Sequence, residues 1–365
     1  MSNRKRKIVG VGFGVIVAAT ALAACSSSSP APTSTSASSR SLISASECAA
    51  NKAAGTINYV SPFGFDGSAG IIDVFAAQKL GYFKDLCLNT QMITNSEDST
   101  TLVSSGAATT TNVGSAADFL VAAASGADIT AVATYGDTSD YCIITRKNIT
   151  SLKELEGKTL GYHFVQEAPD LEMLAAAGVD ISKIDMVDTT NYDPNQILQG
   201  KIDAVDCYRS NEPLTLKAEG AKFNEFTPAM FGVTGTYNVE FFNTKFLDAH
   251  YGAAKDWMRA DLHAFAYCEQ NKDACVNIEG QAAKAAGAEF ITSHEQQVWG
   301  LESVLSEKYT LPGEGIGVES QAEWQPEAQE VVKFKLIKGA VPSLSKYQNT
   351  TMVASLYSGK TLIWP

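Results

Sequence analysis

Carboxylate, aromatic and amide side chains recur in the short loops of this 365-residue sequence that follow apolar, β-rich segments. Aromatic rings can cover the faces of a flat molecule, and carboxylates accept hydrogen bonds from ring amino groups. In open parallel sheets, ligands bind beyond the carboxyl ends of the strands, where loops enter helices. The pattern therefore predicts a ligand cleft lined by Phe63, Phe65, Asp66, Ser68, Asn95, Ser96, Gly114, Ser115, Tyr135, His163, Tyr192, Asp193, Tyr208, Asn211 and Glu212.

These residue types suit a flat, nitrogen-bearing small molecule that is neutral or weakly cationic. An inorganic anion or a sulfonate would instead need arginine, lysine or a nest of backbone N–H groups. Arg146 and Arg209 are the only arginines near the predicted cleft. The sequence therefore favours a heteroaromatic ligand over an anion.

The same residues also have structural interpretations, which the sequence leaves open. The two phenylalanines can simply pack their own loop, and Asp66 and Asp193 can cap a turn or a helix. For Asp193 the cap is favoured, because a proline follows it. His163 at a strand end can face the cleft or the core. Glu212 can begin a helix, where negative charge is favourable.

Sequence signatures of catalysis are missing. His294-Glu295 lacks the second histidine of a zinc protease, and Gly157-Lys158-Thr159 lacks the glycine-led loop that cradles phosphate. No GxSxG nucleophile motif occurs. We therefore expect binding rather than catalysis, with no catalytic residues, no cofactor and no metal.

The N-terminus has the layout of a bacterial lipoprotein signal. Basic residues at 4–7 precede an apolar run at 8–21, and Leu22-Ala23-Ala24-Cys25 resembles a lipobox. The run is shorter than the ~20 residues of a spanning helix, which disfavours a transmembrane anchor. We predict a signal peptide over residues 1–24, then lipidated Cys25 and a flexible Ser/Ala/Thr/Pro linker over residues 25–54. The protein would be lipid-anchored outside the bacterial cell membrane.

Six cysteines remain after the lipidated one, and an even number in an exported protein suggests disulfides. Cys268 and Cys275 flank a polar stretch typical of a helix–helix loop, which a bridge between them would close. Cys142–Cys207 and Cys48–Cys87 follow partly by elimination. Metal binding is the alternative, but no CxxC or histidine-rich spacing supports it.

The exported chain is acidic. Four of the 28 Lys and Arg residues lie in the signal peptide, which leaves 24 against 40 Asp and Glu, a formal net charge of −16. No basic track for nucleic acid is present. We expect a solvated acidic surface and no nucleic-acid partner.

The body of the sequence alternates between β-rich segments and helices that end at glycine, as at Gly81 and Gly106. Such strict alternation predicts an α/β fold with right-handed crossovers and mainly parallel sheets. Long amphipathic helices are expected after about residue 243. Two extended segments, 140–146 and 237–243, stand apart from the alternation.

We interpret these two extended segments as the outgoing and returning crossovers of a hinge between two lobes. Lobe 1 is then expected at residues 55–143 and 240–365. Lobe 2 is inserted in it at residues 144–239.

Five short motifs support this interpretation: AAQKLGYFKD at 76–85, SLKELEGKTLG at 151–161, AAGVD at 176–180, LQGKIDA at 198–204 and NEP at 211–213. In order and spacing they resemble the solute-binding proteins of ABC importers, in the branch that binds thiamine pyrimidine precursors, alkylsulfonates, nitrate and riboflavin. The resemblance implies the periplasmic binding protein type II fold, with a two-stranded hinge and a ligand cleft between the lobes. It also implies a monomer that delivers its ligand to an ABC permease and its ATPase.

The NEP motif resembles the pyrimidine-precursor binders more than the sulfonate binders, which implies a thiamine pyrimidine precursor-like ligand. Capture of an alkylsulfonate, nitrate or riboflavin is the alternative. A further alternative is an extracytoplasmic enzyme like the pyrimidine synthases of this fold. Those enzymes carry a cysteine-rich motif and an early histidine, whereas no histidine precedes His163 here. A lipoprotein that reports its ligand to a membrane sensor is a third possibility.

Overall fold

The computed structural model describes residues 42–94, 98–189 and 193–365. The predicted signal peptide and the lipidation site at Cys25 lie outside the described residues. So do Asn95, Ser96 and Tyr192, three of the predicted ligand contacts. Within the described part of the chain, no helix is both long enough and apolar enough to cross a membrane.

The first part of the described chain alternates between strands and helices, as the sequence predicts. Its elements are α1 (Ala45–Ala53), β1 (Thr56–Val60), α2 (Ile72–Leu80), α3 (Tyr82–Asp85), β2 (Asn89–Ile93), α4 (Ser99–Ser105), β3 (Thr110–Val113), α5 (Ala116–Ala124) and β4 (Ile129–Gly136). Gly81 ends α2 in the left-handed conformation, with φ of 89°, which glycine adopts without a steric penalty.

A second α/β unit follows, and the chain then returns to the first. The second unit contains β5 (Tyr141–Arg146), β6 (Thr159–Tyr162), α6 (Ala168–Ala176), β7 (Asp185–Asp188), β8 (Ala204–Tyr208), α7 (Glu212–Ala218) and β9 (Phe223–Phe226). The return comprises β10 (Tyr237–Asn243), α8 (Thr244–Ala249), α9 (Tyr251–Gln270), α10 (Lys272–Ala286), α11 (Thr292–Tyr309), α12 (Gln321–Lys333), β11 (Tyr357–Ser358) and β12 (Thr361–Leu362).

Two five-stranded sheets define the two lobes. The sheet of lobe 1 has the order β2-β1-β3-β10-β4, and that of lobe 2 has the order β7-β6-β8-β5-β9. In each sheet the first three strands are parallel, while β10 and β5 run antiparallel to their neighbours. Parallel strands connected through helices are expected from the alternating sequence pattern.

The segments predicted to cross between the lobes are instead internal strands. Residues 141–146 form β5, which lies between β8 and β9, and residues 237–243 form β10, which lies between β3 and β4. Both are almost wholly buried and carry large apolar side chains, so they gain more by pairing inside a sheet than by spanning a gap. The chain crosses at 137–140 and 227–236, and the strands of lobe 2 span 141–226 rather than the expected 144–239.

The folded part of the chain begins earlier than the sequence predicts. Residues 45–53, expected in the flexible linker, form α1, whose first turn is capped by the side chain of Ser44. Asn51 holds this helix against lobe 1, because its side-chain amide donates to the carbonyl of Leu86 at 2.8 Å and to Asp256 Oδ2 at 2.7 Å. The Cys48–Cys87 disulfide fixes the same contact covalently.

The core of lobe 1 is built around Trp257 of α9. Its indole stacks on Tyr59 and Phe83, with ring centroids 5.9 and 5.4 Å away, and it is fully buried. Lobe 2 has smaller clusters on the two faces of its sheet, which include Ile143 and Ile144 on successive positions of β5. The long C-terminal helices therefore stabilise lobe 1, which forms one side of the cleft.

The structure contains all three expected disulfides, Cys48–Cys87, Cys142–Cys207 and Cys268–Cys275. Cys142 and Cys207 face each other on paired strands β5 and β8. Cys268 and Cys275 lie at the end of α9 and in the first turns of α10, as the polar stretch between them predicts. No group of three or more His, Cys, Asp or Glu residues suited to a metal ion occurs among the described residues.

We expect the three disulfides to contribute unequally to stability. The sequence separation is 65 residues for Cys142–Cys207 and 7 for Cys268–Cys275. A longer closed loop removes more entropy from the unfolded chain, which gives about 4 kcal/mol for the first pair and about 2 kcal/mol for the second. Urea unfolding of the paired Cys→Ala variants tests this, and an equal loss in both would contradict it.

Candidate ligand-binding site

A chamber of about 220 Å³ lies between the two lobes, beyond the carboxyl ends of the parallel strands. We call it the inner chamber. Lobe 1 supplies the loop after β1 and the end of β3, while lobe 2 supplies the ends of β6 and β8 and the first turns of α6 and α7. Its lining residues are Phe63, Phe65, Asp66, Ser68, Ala69, Ile71, Asn112, Gly114, Tyr141, His163, Glu167, Asp170, Asp206, Cys207, Tyr208, Asn211, Glu212, Tyr237, Asn238 and Glu302.

Hydrogen bonds join the lobes on one side of the inner chamber. The amide of Asn211 donates to Asp66 Oδ2 at 2.9 Å, and its carbonyl oxygen lies 2.7 Å from Nε2 of His294. Next to them, the hydroxyl of Ser210 donates to Glu302 Oε1 at 2.7 Å. The residues after β8 are thereby attached to the helices of lobe 1.

A second set of bonds joins the lobes on the opposite side. Asp118 of α5 accepts from the backbone N–H of Ala168 at 2.6 Å and from the hydroxyl of Tyr141 at 2.8 Å. Tyr141 in turn accepts from the hydroxyl of Tyr208 at 3.1 Å. Gly114 lies beneath these hydroxyls, and a Cβ atom there would overlap both. The two sets of bonds hold the lobes closed around the chamber.

Three glutamates of the C-terminal helices hold the loop that follows β1. Glu279 accepts from the N–H of Asp66 at 2.9 Å, Glu295 from the N–H of Gly67 at 2.7 Å, and Glu302 from the N–H of Ala69 at 2.8 Å. The loop would otherwise leave these backbone donors buried and unpaired. Helices more than 200 residues away in sequence thus position the aromatic and acidic side chains of the loop.

The inner chamber is strongly acidic. Six carboxyl groups line it, and none of the described lining residues is lysine or arginine. Burial, which penalises the charged form, raises the pKa of Glu212 to about 7 and that of Glu302 to about 8. Burial also raises the pKa of Asp66, and burial with the nearby carboxylate of Asp118 raises that of Glu167.

His163 is the one basic group among the lining residues. Its Nδ1 lies 2.6 Å from Asp206 Oδ1, and its backbone N–H donates to the other oxygen at 3.1 Å. Burial lowers the pKa of His163, but the carboxylates of Asp206, Glu212 and Asp188 raise it, and the net shift is upward. One imidazolium offsets one carboxylate, so the chamber keeps an excess of acidic groups.

Asp170 has the carboxyl group with the fewest hydrogen bonds among the acids that line the chamber. It is only 5% exposed, and neither of its oxygens accepts a hydrogen bond from the described residues. Burial and the carboxylates of Asp206 and Asp118 raise its pKa. An unpartnered buried carboxyl group is costly. A ligand that donates hydrogen bonds or carries positive charge would remove that cost.

Most of the predicted ligand contacts within the described residues come together in this chamber. Those that line it are Phe63, Phe65, Asp66, Ser68, Gly114, His163, Tyr208, Asn211 and Glu212. The ring of Phe63 packs edge-on against Tyr208, with centroids 5.4 Å apart, and Phe65 packs on Phe75. The two phenylalanines therefore both pack their loop and face the cleft.

Three other predicted contacts lie elsewhere. Tyr135 is fully buried in lobe 1, because its ring packs on Phe265 of α9 and its hydroxyl donates to Asp261 of the same helix at 2.8 Å. Ser115 is buried as the N-cap of α5, and its hydroxyl accepts from the N–H of Asp118. Asp193 accepts from the N–H of Asn195 at 3.0 Å, the capping role that its following proline favours.

Several lining residues were missed by sequence reasoning. Asp206 lies between Val205 and Cys207 in a buried strand, and a lone acid in an apolar strand is a signal that could have found it. Glu167 and Asp170 flank the proline at the start of α6, where an acid usually means only a favourable helix terminus. Glu302 has no local signal, because it lies inside α11.

The two arginines near the cleft in sequence do not line the chamber. Arg146 forms an ion pair with Asp203, and Nε of Arg209 lies 3.6 Å from Glu225 Oε1. Both side chains are therefore engaged by carboxylates of lobe 2. They do not supply the bidentate cation that recognition of a sulfonate or nitrate favours.

Residues 68–274 match a family model described as NMT1/THI5 like. The matched range begins near the end of the loop after β1, includes the whole of lobe 2 and ends in the first turn of α10. The chain belongs to the NMT1/THI5-like family. No curated protein is significantly similar to this NMT1/THI5-like chain in sequence.

Solved structures share its fold at low sequence identity. A protein from Bordetella bronchiseptica RB50 is 15% identical with a TM-score of 0.61, covering 82% of this chain and 95% of that one. The alkanesulfonate-binding protein SsuA from Xanthomonas axonopodis pv. citri, bound to MOPS, is 13% identical with a TM-score of 0.56, covering 80% and 97%. The NMT1/THI5-like chain therefore has the type II periplasmic binding protein fold that the sequence predicts.

An enzyme shares the fold as well. The desulfurization enzyme DszB is 12% identical with a TM-score of 0.52, covering 82% of the NMT1/THI5-like chain and 98% of its own. The fold by itself is thus compatible with binding and with catalysis. The choice between them has to come from the chemistry of the chamber.

Proposed function

We propose that this NMT1/THI5-like protein is the extracytoplasmic solute-binding lipoprotein of an ABC importer. It captures a small, nitrogen-bearing heteroaromatic ligand of the thiamine pyrimidine precursor type and delivers it to the membrane permease. The fold is shared with sulfonate-binding proteins, one of them named as part of a sulfonate ABC transporter, and this supports the transport role. The lipid tether at Cys25 rests on the sequence of the signal alone.

The observation that carries the ligand assignment is Asp170. Its buried carboxyl group faces the inner chamber without a hydrogen-bond partner among the described residues. Ring amino groups and protonated ring nitrogens are donors that would satisfy it. The aromatic side chains of Phe63 and Tyr208 lie in the same lining and can cover the faces of such a ring.

The charge of the inner chamber argues against an anionic ligand. A sulfonate placed there would face six carboxyl groups and a single histidine, with no lysine or arginine in the described lining to bind it. Burial raises the pKa of most of these acids, and each one that is still ionised would repel the anion. We therefore propose that this protein has the same fold as the sulfonate-binding proteins but binds a ligand of different chemistry.

Mass spectrometry of compounds released from natively purified protein tests the ligand class. We expect a nitrogen heteroaromatic compound, retained by the wild-type protein and recovered chemically unchanged after incubation with it. Recovery of a sulfonate or an inorganic anion instead would contradict the ligand assignment. Conversion of the compound to a product would contradict the binding role in favour of an enzyme.

Uptake measurements test the transport role separately. Cells that lack the gene should lose high-affinity uptake of the released compound, and the gene restored in trans should recover it. Unchanged uptake in the deletion strain would contradict import and would favour a protein that reports the ligand to a membrane sensor.

A further inference from the structure

A second chamber, of about 350 Å³, adjoins the inner one. We call it the outer chamber. The two share six lining residues, Phe63, Asn112, Gly114, His163, Glu167 and Tyr208, so they lie side by side in the cleft. The edge-on pair of Phe63 and Tyr208 lies at the boundary between them.

The lining of the outer chamber differs in chemistry from that of the inner one. Apolar side chains from both lobes enclose much of it, including Val121 and Ala122 of α5, Leu171 of α6, and Leu336. Three carboxyl groups, of Asp98, Asp118 and Glu167, also line it, half as many as line the inner chamber. Hydroxyl groups of Ser99, Thr100 and Thr101 complete the wall on the side of α4. The carboxyl groups of Asp66, Asp206 and Glu212 face the inner chamber alone.

Size supports a ligand that uses both chambers. Small-molecule pockets in proteins typically measure about 300–1,000 Å³. The inner chamber, at about 220 Å³, falls short of that range, whereas the outer chamber lies at its lower end and the two together lie well within it. A single amino-bearing ring would fill the acidic part of the cleft and leave the apolar part open.

Backbone strain occurs at the same boundary. Phe164 has a φ of 57°, a left-handed conformation that is an outlier for a bulky side chain. It lies between His163, which lines both chambers, and Val165, which lines the outer one. Strained residues persist where the surrounding structure requires them, and they cluster at ligand sites.

We propose that the ligand has two parts. An amino-substituted heteroaromatic ring lies in the inner chamber, and an apolar substituent extends past Phe63 and Tyr208 into the outer chamber. This inference rests on the proposed function, because it takes the amino-bearing ring as given. The competing view is that the outer chamber is only the entrance to the cleft.

A series of 4-aminopyrimidines with linear 5-alkyl groups of zero to four carbons tests the inference by calorimetry. Burial of each methylene in the outer chamber should tighten binding by up to about fourfold. In the Leu171→Trp variant, which fills the outer chamber, the parent ring should still bind while the gain with chain length disappears. The matched control, Leu198→Trp at a position 45% exposed on lobe 2, should keep the gain.

The outcomes separate the two proposals. If the parent ring binds wild-type protein and longer chains bring no gain, the two-part ligand is wrong and the proposed function stands. If no member of the series binds, the proposed ligand class fails, and the inference fails with it. Should Leu171→Trp not fold, Ala122→Leu replaces it, and a gain that survives in that variant would contradict the inference.

Discussion

Replacing Asp170 with asparagine is expected to weaken binding of an aminopyrimidine by roughly 10- to 100-fold without lowering the stability of the ligand-free protein. When a ring nitrogen of the ligand takes the proton of Asp170, the hydrogen bond between them involves charged groups and contributes on the order of 1.5–3 kcal/mol, which corresponds to that loss of affinity. Asp170 has no partner among the described residues, so the fold loses no hydrogen bond with the carboxylate. Its raised pKa indicates that burial outweighs the favourable helix terminus.

The control is the same substitution at an exposed site of the same lobe, Asp185→Asn in β7. It should leave affinity and stability unchanged. Calorimetry gives the affinities and thermal unfolding gives the stabilities. If Asp170→Asn lowers the unfolding midpoint while affinity is kept, Asp170 is a structural residue and the ligand assignment loses its main support.

The ligand-free protein is expected to become less stable as the pH rises from about 5 to about 8. Burial raises the pKa of Glu302, Glu319 and Glu327 to about 8, from ordinary values near 4.5. Acids with a raised pKa bind more protons in the folded state, so their contribution is complete below pH about 4.5 and is lost as the pH rises through 8. The expected loss of free energy of unfolding is on the order of a few kcal/mol.

Urea unfolding of ligand-free protein at pH 5, 6.5 and 8 measures this loss. His263 and His294 act in the opposite sense near pH 6.5, because burial lowers their pKa, but the buried acids of this protein outnumber them. Glu319→Gln keeps the hydrogen bond that Glu319 accepts from Thr134 and should flatten the profile. Stability that increases steadily from pH 5 to 8 would show that the buried carboxyl groups are compensated by interactions that the structure lacks.

The sequence predicts the lobes and much of the chamber because both follow from local rules. Alternating strands and glycine-ended helices specify parallel sheets, and ligand loops lie at the carboxyl ends of such strands. Phe63, Asp66 and His163 could therefore be placed at the cleft from the sequence alone. Tyr135 lies at the end of β4 and was expected at the cleft by the same rule, but its side chain packs into lobe 1, on Phe265 and Asp261 of α9.

The remainder of the chamber depends on contacts that no local pattern reveals. Glu302 reaches the loop after β1 from α11, 233 residues away, and Asp118 reaches α6 across the cleft. The exact points at which the chain crosses between the lobes could not be predicted either. They depend on whether β5 and β10 pair inside the sheets or span the gap between the lobes. Helix α1 was hidden because its sequence, ASECAANKA, has too little apolar character to predict a docked helix.

Calorimetric titration with a 4-aminopyrimidine, riboflavin, taurine and nitrate tests the central claim most directly. The claim is that the acidic chamber between the lobes binds a nitrogen-bearing heteroaromatic ligand. The account predicts tight binding of the aminopyrimidine or of riboflavin, and no detectable binding of taurine or nitrate at the same concentrations. Tight binding of taurine or nitrate, with none to either heteroaromatic compound, would contradict it.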